Sequence, residues 1–133
     1  MIVVMGVSGS GKTTVGEILA KAVGVEYAEA DDFHSPAHKS LMAAGVPLTD
    51  EQRWPWLSEI RSWINARASL KQGAVVSCSA LKRSYRRYLE GADAAVIFIW
   101  LAPPVEVLER RMKLRTGHFM PASLLQSQLT TLE

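Results

Sequence analysis

Residues 2–14, IVVMGVSGSGKTT, pass from a short apolar run straight into a glycine-rich loop. Ile2 to Met5 is rich in β-branched residues and reads as a buried strand. Gly6-Val7-Ser8-Gly9-Ser10-Gly11-Lys12-Thr13 then fits G-x-x-x-x-G-K-[ST] at every fixed position. From Lys12 to Val23 the apolar residues Val15, Ile18, Leu19 and Ala22 recur at helical spacing, and Gly24 ends the pattern. Strand, loop and helix in that order are what the motif needs mechanically. Glycines let successive backbone N–H groups turn inward toward phosphate oxygens, and the helix N-terminus adds partial positive charge. A chance match in a chain this long is on the order of half a per cent. The stretch predicts a bound nucleoside triphosphate, with Lys12 reaching the β- and γ-phosphates and the Thr13 hydroxyl on Mg²⁺. Gly6, Ser8, Gly9, Ser10, Gly11, Lys12, Thr13 and Thr14 form the expected nucleotide-binding set.

Outward from the loop, strands and helices alternate. Residues 25–29 form a weaker second strand, and Ser35-Pro36 reads as an N-cap with proline in the first turn of a short helix closed by Gly45. Thr49-Asp50-Glu51-Gln52 resembles a capping box opening a longer helix to about residue 70, with Leu57, Ile60 and Ile64 inward and Trp56 and Trp63 beside them. Residues 74–79 form a third strand and residues 81–89 a short basic helix. The strongest strand is 94–101, AAVIFIWL, whose unbroken hydrophobicity predicts cover on both faces, as in a parallel sheet. Helices over 105–115 and 121–132 finish the chain. This alternation predicts an α/β fold of three layers, a parallel sheet with helices on both faces.

Composition narrows the setting. The 133 residues suffice for one domain with one core, and no repeat or linker divides them. With 48% hydrophobic and 21% charged residues the chain is neither disordered nor fibrous. Fifteen Lys and Arg against thirteen Asp and Glu leave a net charge of +2, too small to point to nucleic acid. Cys78 is the single cysteine and cannot form an internal disulfide, so a reducing, cytoplasmic setting is expected. The longest apolar run, 94–105, is too short to span a bilayer and contains Pro103-Pro104, so no membrane partner is expected.

Several polar residues stand where chemistry is expected. The second strand leads into Asp31-Asp32-Phe33-His34. In a parallel sheet functional groups gather at the carboxyl ends of strands, where a carboxylate can join a magnesium shell or accept a proton from a substrate hydroxyl. Read alone, the acidic pair is a helix cap; beside a phosphate loop the catalytic reading gains weight. Arg53, Ser79, Lys82 and Arg86 supply cationic and polar groups suited to an anionic acceptor. Arg110, Arg111, Lys113, Arg115 and His118 form a dense basic stretch, with Arg111 and Arg115 on one helix face. They read either as a solvated face or as a lid that brings arginine charge to the transferring phosphoryl group.

MGVSGSGKTT (5–14), DDFH (31–34), GVPLTDEQRWPWL (45–57), CSALK (78–82) with YRR (85–87), and GHFMPASLLQSQLTTLE (117–133) together resemble the bacterial-type gluconokinases. The phosphate loop is shared with a vast superfamily; CSALK and the GHFMP…SQ…TLE block are far more specific. The resemblance covers nearly the whole chain. It implies the P-loop kinase fold of shikimate and nucleoside monophosphate kinases, with a mobile lid around residues 110–122. It also implies ATP-dependent phosphorylation of D-gluconate on its 6-hydroxyl. Lys12 and Thr13 would serve ATP and Mg²⁺. Asp31 would orient or deprotonate the sugar hydroxyl and stand near the metal. His34, Arg53, Lys82 and Arg86 would line the gluconate pocket, and Arg111 and Arg115 would belong to the lid. Members are often dimeric, though no surface stripe in this sequence marks an interface. Family members continue past TLE into a last strand, an adenine-contacting loop and a closing helix. The chain is accordingly expected to be a C-terminally truncated form with an exposed apolar edge on residues 94–101. The alternatives are another small anionic acceptor, shikimate or a nucleoside monophosphate, and an ATP-binding module without phosphoryl transfer.

Overall fold

Side chains of strand β1 (Ile2–Met5) alternate between two layers: Val3 and Met5 pack on one side, Ile2 and Val4 on the other. In the computed structural model, which describes residues 1–114 and 124–133, three strands run parallel to β1. They are β2 (Glu26–Glu29), β3 (Ala74–Ser77) and β4 (Ile97–Trp100), in the order β2-β3-β1-β4. Val3 stands opposite Val76 of β3 and Phe98 of β4. Parallel neighbours need crossovers, and helices supply them.

Helix α1 (Lys12–Val23) covers one face through Leu19 and Ala20, against Val4 and Val75. Helices α3 (Asp50–Ser69) and α4 (Arg83–Glu90) cover the other, with Leu57, Ile60, Ile64, Tyr85 and Leu89 buried against Val3, Met5 and Val76. The shorter α2 (Pro36–Ala43) lies between them in sequence. Helices α5 (Val105–Leu114) and α6 (Leu124–Thr131) meet at the end of β1, where Leu108, Met112 and Leu125 pack on Val7. The α/β class, the parallel sheet and the three layers agree with the sequence reading.

Local signals explain the helix ends. Gly24 caps α1 in the left-handed region, and the Ser35 hydroxyl caps α2 ahead of Pro36. Thr49 and Gln52 form a reciprocal capping box: the Thr49 N–H donates to Gln52 Oε1 at 2.9 Å, and the Gln52 N–H donates to Thr49 Oγ1 at 3.3 Å.

The structure corrects four expectations. Strand β3 is shorter than 74–79 because the chain bends out of the ladder beyond Ser77, with Ala80 at φ 45°, and β4 is shorter than 94–101. Helix α4 begins at Arg83 rather than residue 81, because Leu81 is drawn into the core at the end of β1. A 3₁₀ turn, Ala30–Phe33, follows β2 directly. Hydrophobicity also overstated the cover on β4. The exposed apolar edge expected on this stretch is present: β4 is an edge strand, and Ile97 and Trp100 are 62% and 59% exposed, with α1 packed over β3, β2 and β1 instead. Among the described residues, no helix is long and apolar enough to cross a membrane.

Candidate active site

The loop between β1 and α1 is held by its own backbone and by three outside props. Gly6 sits at φ 147°, and a Cβ there would lie 2.7 Å from the Leu101 carbonyl oxygen, so only glycine fits. Its N–H donates to the Ser79 carbonyl, tying the loop to the end of β3. The Arg111 guanidinium donates to the Gly9 carbonyl at 2.9 Å, which brings α5 onto the loop. From α6, Gln128 Oε1 accepts the Ser8 N–H at 2.7 Å. Gly11 occupies the N-cap of α1 without any side-chain cap, so no side chain of the cap competes with an incoming anion for the first N–H groups. Lys12 Nζ lies on the Val7 carbonyl at 2.9 Å, folded back along the loop. Ser10 Oγ is buried and has no hydrogen-bond partner among the described residues, a donor suited to a phosphate oxygen. Gly9, Ser10, Gly11, Thr14 and Arg111 line an open hollow in front of the loop.

Below the loop, β2 contributes a carboxylate that sequence reasoning missed. Thr13 Oγ1 donates to Glu29 Oε2 at 2.6 Å, and the Tyr27 hydroxyl donates to the same oxygen at 2.7 Å. Burial, with smaller help from the Glu29 charge, pushes the Tyr27 phenol up, so it stays a donor. The Ser77 hydroxyl donates to the Lys12 carbonyl at 2.8 Å and props the first turn of α1 from β3. Thr13, Glu29 and Asp31 on the following turn are all oxygen donors, a set that suits Mg²⁺. Among the described residues no three His, Cys, Asp or Glu side chains form a metal cage of their own.

Across from the loop lies a pocket lined by Asp31, His34, Leu48, Arg53, Trp56, Ser79 and Gln128, among others. Trp56 Nε1 donates to the Ala30 carbonyl at 2.7 Å, so α3 fixes the 3₁₀ turn that carries Asp31. Burial raises the Asp31 carboxyl to about 6; the Lys12 charge works in the opposite direction and Glu29 adds to the rise. His34 is stacked on Trp56, ring centroids 4.3 Å apart and 14° from parallel. Burial lowers its imidazole to about 4, with the charges of His38 and Arg53 adding to the effect, so the ring is neutral near pH 7. Its Nδ1 is buried with no hydrogen-bond partner among the described residues.

The expected cations separate. Arg53 lines this pocket and also a neighbouring groove that holds Asp50 and Lys82. Arg86 lies outside both. Its guanidinium donates to the carbonyls of Ala80 at 2.7 Å, Leu81 at 3.1 Å and Glu133 at 2.5 Å, bracing the bend after β3. Arg111 stands at the loop; Arg115 and His118 fall outside the described residues.

A family model described as Shikimate kinase matches residues 8–129. The gluconokinase of Gluconobacter oxydans (strain 621H) is 49% identical over 132 residues, covering 99% of this chain and 74% of that protein. The chain belongs to the gluconokinase family. A solved gluconokinase from Sinorhizobium meliloti 1021 superimposes with a TM-score of 0.87 at 53% identity, over 99% of this chain and 74% of that one. An unliganded sugar kinase from Janibacter sp. HTCC2649 gives 0.94 at 55% identity, over 99% and 76%. The resemblance drawn from MGVSGSGKTT, DDFH and CSALK is therefore borne out at the level of family and fold.

Within this gluconokinase-family site, sequence reasoning did not single out Glu29, Trp56 as a stacking partner, or Gln128. Gln128 touches the loop and lines the pocket at once. A signal existed for Glu29, the last residue of a strand whose carboxyl end faces the loop. For Gln128 there was only its place in the quoted C-terminal block.

Proposed function

We propose that this chain transfers the γ-phosphoryl group of ATP to the 6-hydroxyl of D-gluconate, giving ADP and 6-phospho-D-gluconate. The observation that carries this reading is the opposition of loop and pocket. A largely buried carboxylate, Asp31, sits close enough to Lys12 to feel its charge, in a pocket whose polar lining also includes a neutral histidine, an arginine, Ser79, Ser127 and Gln128. An acid with a chain of hydroxyls is what such a lining suits: Arg53 for the carboxylate, His34 and Ser79 for hydroxyls, Asp31 for the reacting one. The pocket encloses about 30 Å³, room for a water or two rather than a six-carbon acid. Its lining residues on α6 and before α3 therefore move aside when the acceptor enters.

In the reaction, the ionised Asp31 carboxylate accepts the proton of the 6-hydroxyl as O6 bonds to the γ-phosphorus and the bond to the β–γ bridging oxygen breaks. Lys12 leaves the Val7 carbonyl for the phosphates, and the loop N–H groups and the Ser10 hydroxyl hold them in line. Mg²⁺, when bound, neutralises phosphate charge, with Thr13 and the carboxylates of Glu29 and Asp31 as the residues to hold it or its water shell. Arg111 already rests on the loop and would belong to the lid; residues 115–122 of the lid proposed over 110–122, Arg115 among them, lie outside the described residues. Residues 1–133 are read as one kinase domain. The single cysteine supports a cytoplasmic site.

The test is ADP release from MgATP with D-gluconate, shikimate, AMP or no acceptor. Release that depends on gluconate, with 6-phosphogluconate as product, is the expected result. Release with shikimate or AMP instead would keep the kinase and remove the gluconate assignment.

A further inference from the structure

Arg53 does not stand alone at the pocket wall. Its Nη1 donates to the Tyr85 hydroxyl at 3.0 Å, and that hydroxyl donates in turn to Asp50 Oδ1. A phenol has one proton to give; with Asp50 taking it, the oxygen lone pairs are left for Arg53. Asp50 is itself held: Lys82 Nζ donates to both of its carboxylate oxygens at 2.9 Å. The hydrogen bonds from Lys82 and Tyr85 keep the Asp50 carboxyl below its ordinary range, so it is ionised throughout the neutral region. The Tyr85 ring is 1% exposed, and Trp54 meets it edge-on at 5.7 Å. The hydroxyl is thus carried on a ring that packing immobilises.

Two consequences follow from this chain of contacts. Lys82 and Asp50 cancel each other's charge, which leaves Arg53 as the cation of this group that faces Asp31 and His34 across the pocket. Among the described residues the Arg53 guanidinium makes one hydrogen bond, to Tyr85, so its other nitrogens remain for a ligand. A planar fork held at one corner keeps a defined direction, and a fork with a defined direction can take a carboxylate through two parallel bonds.

We infer that Tyr85 and Asp50 are positioning residues that aim the Arg53 guanidinium at the carboxylate of the acceptor, and so set the preference for a sugar acid over the corresponding uncharged polyol. This rests on the gluconate reading above. Neither residue touches the acceptor; both act through Arg53.

The experiment compares KM for D-gluconate with the inhibition constant of D-glucitol, the same carbon chain with the carboxylate reduced to an alcohol. Wild type, Tyr85→Phe, Asp50→Asn and a control, Tyr88→Phe, are measured. Tyr85→Phe keeps the ring and deletes one hydroxyl. It is expected to raise KM for gluconate about tenfold, with kcat within about threefold and KM for MgATP unchanged. The glucitol constant should barely move, so the selectivity ratio falls about tenfold in this variant. Asp50→Asn should move the ratio the same way, and it carries the test alone should Tyr85→Phe not fold by circular dichroism. A loss of both ligands in parallel, or an unchanged ratio in a folded variant that turns over gluconate, overturns the inference alone. A wild-type chain that does not phosphorylate gluconate overturns the functional reading and this inference with it.

Discussion

The phosphate loop is one uninterrupted stretch, residues 6–14, whereas the acceptor pocket gathers side chains from the 3₁₀ turn, the segment before α3, α3 itself, the bend after β3 and α6. The first side of the cleft works through main-chain N–H groups whose direction is fixed by local turns and a helix start. The second works through side chains that meet only when distant elements pack. Their electrostatics differ accordingly. On the loop side Lys12 rests on a neutral carbonyl, and the group that burial displaces, the Tyr27 phenol, is thereby kept uncharged. On the pocket side burial has already displaced two titrating groups in opposite directions, Asp31 upward and His34 downward. A contiguous site is robust and generic, and an assembled one is specific and strained.

The largest expected effect tests the generic side. Lys12→Ala should lower turnover on the order of 10³-fold while the far-ultraviolet circular dichroism stays that of wild type. A folded variant that keeps turnover would show that the main-chain N–H groups suffice, and would deepen the contrast between the two sides.

Next comes Asp31→Asn, expected to reduce kcat on the order of 10²-fold with little change in KM for gluconate. The same change should stabilise the fold. With the folded carboxyl raised to about 6 from an ordinary 3.8, the folded state holds more protons than the unfolded chain between those values, and stability falls as pH rises through them. At pH 7 the variant should therefore gain about 1–3 kcal/mol in urea unfolding, and the gain should fade toward pH 4. His34 has the reverse slope. Its imidazole, lowered to about 4 from 6.5, binds a proton first in the unfolded chain, so stability falls as pH drops through that window. In wild type the two slopes oppose each other; in Asp31→Asn the histidine acts alone, and acidification should destabilise the variant more steeply. A variant no more stable than wild type at pH 7 would remove the claim that the pocket side is the strained one.

The smallest effect probes what supports the loop. A Cβ on Gly16 would lie 2.5 Å from Ser77 Oγ and 2.6 Å from a ring carbon of Tyr27. Gly16→Ala should push both away from the Lys12 carbonyl and from Glu29. The expected cost is about 1–3 kcal/mol of stability, read by urea unfolding, with a modest loss of turnover. An unchanged midpoint would mean that these props are dispensable and that the loop is held by its own backbone.

The same contrast explains what the sequence disclosed. Spacing alone located the loop, because each of its requirements is local: a glycine at each tight bend, a lysine, a hydroxyl, a helix start. The caps at Ser35 and Thr49 were legible for the same reason. Asp31 and His34 could be placed by their position after a strand, but their displaced titration is a product of burial that no spacing encodes. Arg53, Lys82 and Arg86 looked alike as cations near strand ends. Packing alone separates one that lines the pocket, one neutralised by Asp50 and one spent on three carbonyls. The β4 stretch was overread because hydrophobicity registers what a residue tolerates, and Ile97 and Trp100 stand at an edge.

Cys78, the chain's single cysteine, sits where β3 bends, in the core cluster with Val3, Met5 and Trp56, its N–H on the Val4 carbonyl at 3.0 Å. It is 1% exposed, and burial pushes its thiol up to about 12. At neutral pH an alkylating reagent finds neither a path to the sulfur nor a thiolate to attack. Modification must wait for the sheet to open at this bend, so the rate of labelling is a clock for that opening. The protein carries its own reporter, silent while the core at this bend is closed and audible when it opens.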